Sequence, residues 1–224
     1  MKATASAFAL ATLVACGQTT RTEHHVRDFS LSEQAAIDSA RIDGGLAYRL
    51  RMHVPESFYL HTPEADEINS RSGFPVAEHT WRGVAVRVHP DSTLARVASL
   101  AERIRPEGYS MYRSRMGFGG EPDELCVLMT QQEEMAILRY EQTDGINYDI
   151  TTDSLIQRLE AWGLQLTITG ASQDWVEARI GKKISDWRSL AEEVHAFCPD
   201  VVEQGTGSVE ALAEEMKRTN TLYL

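Results

Sequence analysis

The sequence predicts an α+β fold, an antiparallel sheet with helices packed on one face. Two kinds of periodicity and one kind of turn predict it. Apolar residues alternate with polar ones over runs short enough for strands, as at Val84, Val86 and Val88. Elsewhere they recur three and four apart, as at Leu94, Val97, Ala98, Ala101 and Ile104, the spacing of one helical face. Tight turn signals such as "GFGGEPD" join consecutive strands directly, which makes antiparallel hairpins.

The elements follow in chain order. Ser30-Leu31-Ser32-Glu33 fits a capping box and opens a short helix with Ala36, Ile37 and Ala40 on one face. Gly44-Gly45 reads as its stop. Leu46, Tyr48, Leu50, Met52 and Val54 then alternate with Arg49, Arg51 and His53, which predicts a half-buried strand. Residues 55–80, with their prolines and "DEINSRSG", read as a long irregular connection.

From Trp81 the pattern becomes regular. A strand through Val84 to Val88 precedes a helix that starts at Pro90-Asp91. "EGYSMYRSRM" and "DELCVLMT" are two strands, a helix covers 131–141, and Asp144-Gly145 ends this half. A helix over 151–162 turns Leu155, Ile156, Leu159 and Trp162 inward and stops at Gly163. Leu164, Leu166 and Ile168 form a strand, "TGASQD" turns, and Val176, Ala178 and Ile180 return. Ser185 caps a helix carrying Trp187, Leu190, Ala191, Val194 and Phe197. Helix-hairpin-helix thus occurs twice, a pseudo-repeat with negligible sequence identity between its halves. Pro199 ends the last of these helices at Cys198. Ser208 caps one more, with Val209, Leu212, Ala213 and Met216 inward, and Asn220 closes it before the strand "TLYL".

Composition narrows the function classes. The 224 residues carry a net charge of −11, with 42% apolar and 25% charged residues, ordinary for a globular protein. Such a surface repels phosphate backbones and anionic lipid, which argues against nucleic acid and against electrostatic membrane binding. The histidines are scattered, with no H-E-x-x-H and no Cys-x-x-Cys, so no metal site or cofactor is expected. Cys126 and Cys198 read as free thiols, with a disulfide as the alternative in an oxidising compartment.

The N-terminus carries an address. Met1-Lys2 is positive, and an uncharged apolar stretch follows, too short to span a bilayer. It ends in Leu13-Val14-Ala15-Cys16, which resembles the bacterial lipobox. The resemblance implies cleavage before Cys16, a diacylglycerol on its thiol, and acylation of the freed amine. Two or more chains make a stable anchor where one is marginal, at about 0.8 kcal/mol per buried methylene. The organisation expected is therefore a signal peptide over 1–15, the lipidated Cys16 and a tether over 16–29, and an N-terminal helix, strand and connection over 30–80. An α+β domain over 81–224 completes it. His24-His25 in the tether make a poor metal site. Gly17 rather than Asp after the cysteine favours, by resemblance to enteric lipoproteins, the outer membrane and its periplasmic face.

Asn147-Tyr148-Asp149, Asp174-Trp175 and "FCPDVVEQGTGSVEALAEEMKRTNTLYL" together resemble the bacterial domain of unknown function 4253 family. The similarity covers roughly 81–224 and is dense from about Asp144. The family pattern continues into two tryptophans and an acid that do not follow Leu224 here. The resemblance implies a fold and no established activity.

The candidate functional residues are those of this signature: Asn147, Asp174, Trp175, Asp200, Gln204, Gly205, Thr206 and Gly207, beside the lipidated Cys16. "QGTGS" lacks the lysine of a phosphate loop and follows no strand, and Asp200 and Glu203 would repel an anion there. His195, Cys198 and Asp200 lie close in sequence, but His195 falls off the apolar stripe while Cys198 turns toward it, a poor nucleophile pair. Glu133-Glu134, Glu192-Glu193 and Glu214-Glu215 fall in helices with one member of each solvated and read as charge for solubility, "GFGG" reads as a turn, and Trp162, Trp175 and Trp187 as core. Two functions remain open. One is a lipid-anchored module that binds an unknown protein partner at the cell envelope, with an immunity-like role toward a basic toxin as its specific version. The other is a small hydrolase-like enzyme with a site near the loop 198–208.

Overall fold

Alternating runs become strands where a neighbour accepts both their hydrogen bonds and one of their faces. In the computed structural model, which describes residues 29–89 and 92–224, seven strands do so. They are β1 (Tyr59–Leu60), β2 (Gly83–Val88), β3 (Tyr109–Arg115), β4 (Asp123–Met129), β5 (Leu166–Ala171), β6 (Val176–Ile180) and β7 (Thr221–Tyr223). They form one sheet in the order β1-β2-β4-β3-β5-β6-β7. Neighbours are antiparallel except β3 and β5, which run parallel and share a single register pair, Arg113 with Gly170. The fold is α+β, as expected.

The N-terminal segment departs from its sequence pattern. Helix α1 (Leu31–Ser39) opens with the expected capping box: Ser30 accepts from the Glu33 amide, and Glu33 accepts from the Ser30 amide at 2.8 Å. The strand expected over 46–54 is instead helix α2 (Gly44–His53). Asp43 caps it, its Oδ1 accepting from the amides of Gly45 at 2.9 Å and Leu46 at 3.2 Å, so the two glycines begin a helix rather than stop one. Its buried residues, Leu46, Ala47 and Leu50, follow helical spacing, and Met52 is 66% exposed. The connection over 55–80 is not irregular throughout. It holds β1 and helix α3 (Glu64–Ser72), whose first turn carries Glu64, Asp66 and Glu67 against the helix dipole and whose end is closed by Gly73 at φ 75°.

The remaining helices are α4 (Ser92–Ile104), α5 (Ala136–Glu141), α6 (Thr152–Ala161), α7 (Trp187–Phe197) and α8 (Val209–Thr219). They do not lie on one face, and that expectation is corrected by the alternation along β4. Leu125 and Val127 pack with Val84, Val86, Ile37, Leu46 and Val97, hence with α1, α2 and α4. Cys126 and Leu128 point the other way, into a core with Ile137, Leu159, Val194 and Leu212 from α5 to α8. With both faces covered, β4 is buried over residues 123–128.

Smaller differences have local causes. The helix expected over 131–141 starts only at Ala136, because Gln131 and Gln132 take left-handed backbone at φ 52° and 72°. Asp186, not Ser185, caps α7 by accepting from the Ser189 amide. In α4 Leu100 is buried while Ala98 faces solvent. Ser208 caps α8 and Asn220 closes it at φ 58°, both as expected. Among the described residues, no helix is long and apolar enough to cross a membrane. The signal peptide, Cys16 and the tether through residue 28 lie outside the described residues.

Candidate functional site

The signature loop forms where α7 must end. Pro199 follows its last turn, Cys198 leaves helical backbone, and residues Val201–Thr206 wind as a π-helical turn that Gly207 closes at φ 78°. A β-carbon at position 207 would meet nothing within 4 Å, so its glycine serves the backbone angle alone. The Thr206 hydroxyl is spent within the loop, 3.2 Å from the Ser208 carbonyl and 3.4 Å from that of Val201. At Gly205 a β-carbon would have room, its nearest neighbour being the Asp200 carbonyl at 3.9 Å.

Asp200 is the centre of the cluster. Asn147 Nδ2 donates to its Oδ2 at 3.1 Å, and the Tyr148 hydroxyl donates to its Oδ1 at 2.9 Å. Both donors sit on the short 3-10 turn Ile146–Tyr148, which precedes α6. The Tyr148 bond, with that from Asn147, holds the Asp200 carboxyl below its ordinary range, and the Gln204 amide nearby adds least to the shift. The same bond pushes the Tyr148 hydroxyl up to about 12. The structure therefore joins Asn147 to Asp200, adds Tyr148 to them, and leaves Gln204 in the turn that follows Asp200. Asp149, Glu193 and Glu203 are exposed, and no cationic side chain pairs with them among the described residues. Alongside lies an open cleft of about 390 Å³ lined by Tyr148, Ile150, Ser154, Arg158, Glu193 and Phe197.

Asp174 and Trp175 belong to a different place, the turn between β5 and β6. Trp175 is 8% exposed and stacks on Tyr223 at 6.1 Å, with the Arg113 guanidinium 5.6 Å from its ring. Gly170 is obligatory beneath it, because a β-carbon there would come within 2.4 Å of the indole. Burial pushes the carboxyl of Asp144 up, and the charge of Asp174 adds to the shift. Neither Asp174 nor Trp175 bonds to Asp200. Cys198 is half-buried, its thiol pushed up by burial, and no hydrogen bond joins it to His195. Cys126 is a buried free thiol. Glu133 is exposed, as expected of one member of that pair, while Glu134 pairs with Arg105 and accepts from the Ile168 amide at 2.5 Å.

Sequence reasoning missed a buried polar cluster on the α5 face of the sheet. His61, just after β1, holds Nδ1 2.9 Å from Glu124 and Nε2 2.9 Å from Glu141. The Tyr112 hydroxyl donates to the same Glu141 oxygen at 2.5 Å, and Tyr59 and Ser114 donate to Glu124. Burial alone would lower the imidazole, but the two carboxylates outweigh it and raise His61 to about 9, a charged ring. Burial would raise Glu124, and the bonds from His61, Tyr59 and Ser114 reverse this and hold it at about 2. The oxygens face opposite edges of the ring, which is a bonded chain rather than a ligand shell. Among the described residues no group of three His, Cys, Asp or Glu is arranged to hold a metal. The one sequence signal for this cluster was the pair of acids within otherwise apolar segments, Glu124 in "DELCVLMT" and Glu141 after "AILRY".

Comparison with known proteins places the C-terminal part. No curated protein and no solved structure matches the chain. A family model does match, over residues 125–224, under the description "Domain of unknown function (DUF4253)". That stretch runs from within β4 through the Asp200 cluster to the last strand, and over it the chain is similar to the DUF4253 family.

Proposed function

We propose that the protein is a lipid-anchored module of the bacterial cell envelope that binds a protein partner through the surface around Asp200. The observation that carries this reading is the bracing of Asp200, an acid on the surface held by Asn147 and Tyr148. A side chain already fixed loses little freedom on binding, so its bonds to a partner are worth more. Tyr148, 38% exposed, adds an aromatic contact beside it. The unpaired acids Asp149, Glu193 and Glu203 and the net charge of −11 suit a basic partner and would speed its approach. An immunity-like role toward a basic toxin is the specific form of this reading.

The lipobox residues Leu13 to Cys16 support the anchor, and Gly17 supports the outer membrane. Changing Cys16 to Ser should release the protein from the membrane fraction; unchanged association would overturn the anchor. The enzyme alternative has less support, because Thr206 is engaged within its own loop and His195 is not bonded to Cys198. Affinity capture from gently crosslinked cells tests the binding surface. One near-stoichiometric partner should accompany the wild type and be lost with Asp200→Ala/Gln204→Ala. No partner above background would move the weight to the enzyme.

A further inference from the structure

We propose that the chain holds a binding site for a small amphipathic anion, an apolar body bearing one carboxylate, in the cleft between α4 and the β3–β5 seam. This site shares no residue with the Asp200 surface and stands independently of it.

The seam is where the sheet parts. β3 and β5 meet at one register pair, with a register shift in β3 between Arg113 and Arg115 and another in β5 between Ile168 and Gly170. The result is a cleft of about 270 Å³, just below the ~300 Å³ at which small-ligand pockets begin. Its floor is apolar, made by Val97 and Ala101 of α4, Met111 of β3 and Leu125 of β4. Thr167 and Thr169 line the β5 side.

Three arginines line the cleft, Arg105 paired with Glu134, Arg113 with Glu177 and Arg179 with Glu102. Arg113 is held by Glu177 and Asp123 and its Nε is buried, which leaves Arg179 to take an anion. Arg179 reaches from β6 to Glu102 of α4 at 2.9 Å, with 51% and 61% of the two side chains exposed. An ion pair so exposed is weak, so a ligand carboxylate can replace Glu102 on Arg179 while its apolar body covers Ala101 and Met111.

Octanoate and its uncharged analogue octan-1-ol separate the two halves of the proposal when titrated into the protein and followed by amide NMR shifts. Octanoate should give saturable shifts at Thr167, Thr169 and Arg179, and octan-1-ol should bind at least tenfold more weakly. Ala101→Trp fills the floor and should weaken octanoate at least tenfold. If that variant does not fold, Ala98→Trp at the exposed edge of the cleft makes the same test. Arg179→Gln should weaken octanoate and leave octan-1-ol unchanged. Absence of saturable shifts at these amides, or binding indifferent to the tryptophan, would overturn the site. Equal affinity for acid and alcohol would overturn its anion preference.

Discussion

His61 Nε2 lies 2.9 Å from Glu141 Oε1, and this contact ties β1 to the end of α5 across 80 positions of sequence. Neither side chain is open to solvent: His61 is 5% exposed and Glu141 0%. With Glu124 on the other edge of the ring, a charged imidazole joins the segment before β2 to the part of the chain that matches the family.

Stability should therefore fall on the alkaline side. The imidazole is raised from 6.5 to about 9 in the folded state, so its contribution is complete below pH 6.5 and is lost as pH rises through 9. Urea unfolding between pH 6 and 10 should show this decline. In His61→Leu two buried acids lose their cation, which costs about 3–5 kcal/mol, and the alkaline slope should vanish. A slope identical in both proteins would contradict the assignment.

The acid side rests on Glu124, held at about 2 by the bonds already described, and on Glu33. Burial opposes its ionisation, but bonds from Ser30, Arg51 and the Phe58 amide hold it at about 2. Its contribution is complete above pH 4.5 and is lost as pH falls through 2. Arg51 lies over the rings of Phe29 at 5.0 Å and Phe58 at 4.7 Å, so it is packed as well as paired. Glu33→Gln should lower stability at pH 7 by about 1–3 kcal/mol and flatten the acid limb of the same titration.

Trp175 gives a test of packing. A methyl at position 170 would overlap the indole, so Gly170→Ala must displace it from Tyr223. The expected cost is about 1–3 kcal/mol, with a changed near-ultraviolet dichroism from Trp175. Gly205→Ala, by contrast, should be close to neutral, since its β-carbon has space. Equal costs at the two glycines would contradict the geometry.

The family match also predicts the behaviour of a fragment. β4 is bonded on one side to β2 and on the other to β3, and both precede residue 125. A fragment of residues 125–224 keeps α5 to α8 but exposes both edges of β4 and the face that α1, α2 and α4 cover. It should show no cooperative thermal transition, whereas the chain from residue 29 should show one. A cooperative transition in the fragment would mean that β4 is not needed in its present place.

Local signals were the legible part of this molecule. Ser30 to Glu33 specify a cap within four residues, and the stripe of Leu212, Ala213 and Met216 specifies which side of α8 is inward. The region around α2 misled because Leu46 and Leu50 satisfy both periods, two and four, and only the Asp43 cap decides between them. Asp200 was legible as a member of a signature, but its donors lie 52 and 53 residues away, and only folding reveals that Tyr148 joins them. The His61 cluster was hidden for the same reason. A histidine in a proline-rich stretch has no local sign of the two acids that flank it.

The binding reading is tested most directly by a residue-level crosslink map of the protein with whatever it holds in intact cells. Short crosslinks from a partner should concentrate on the loop carrying Tyr148 and on residues 200–204, and should disappear in Asp200→Ala/Gln204→Ala while the variant keeps its wild-type melting temperature. Crosslinks to one partner that fall elsewhere and survive the double substitution would contradict the Asp200 surface. No crosslinked partner at all would contradict the binding function itself.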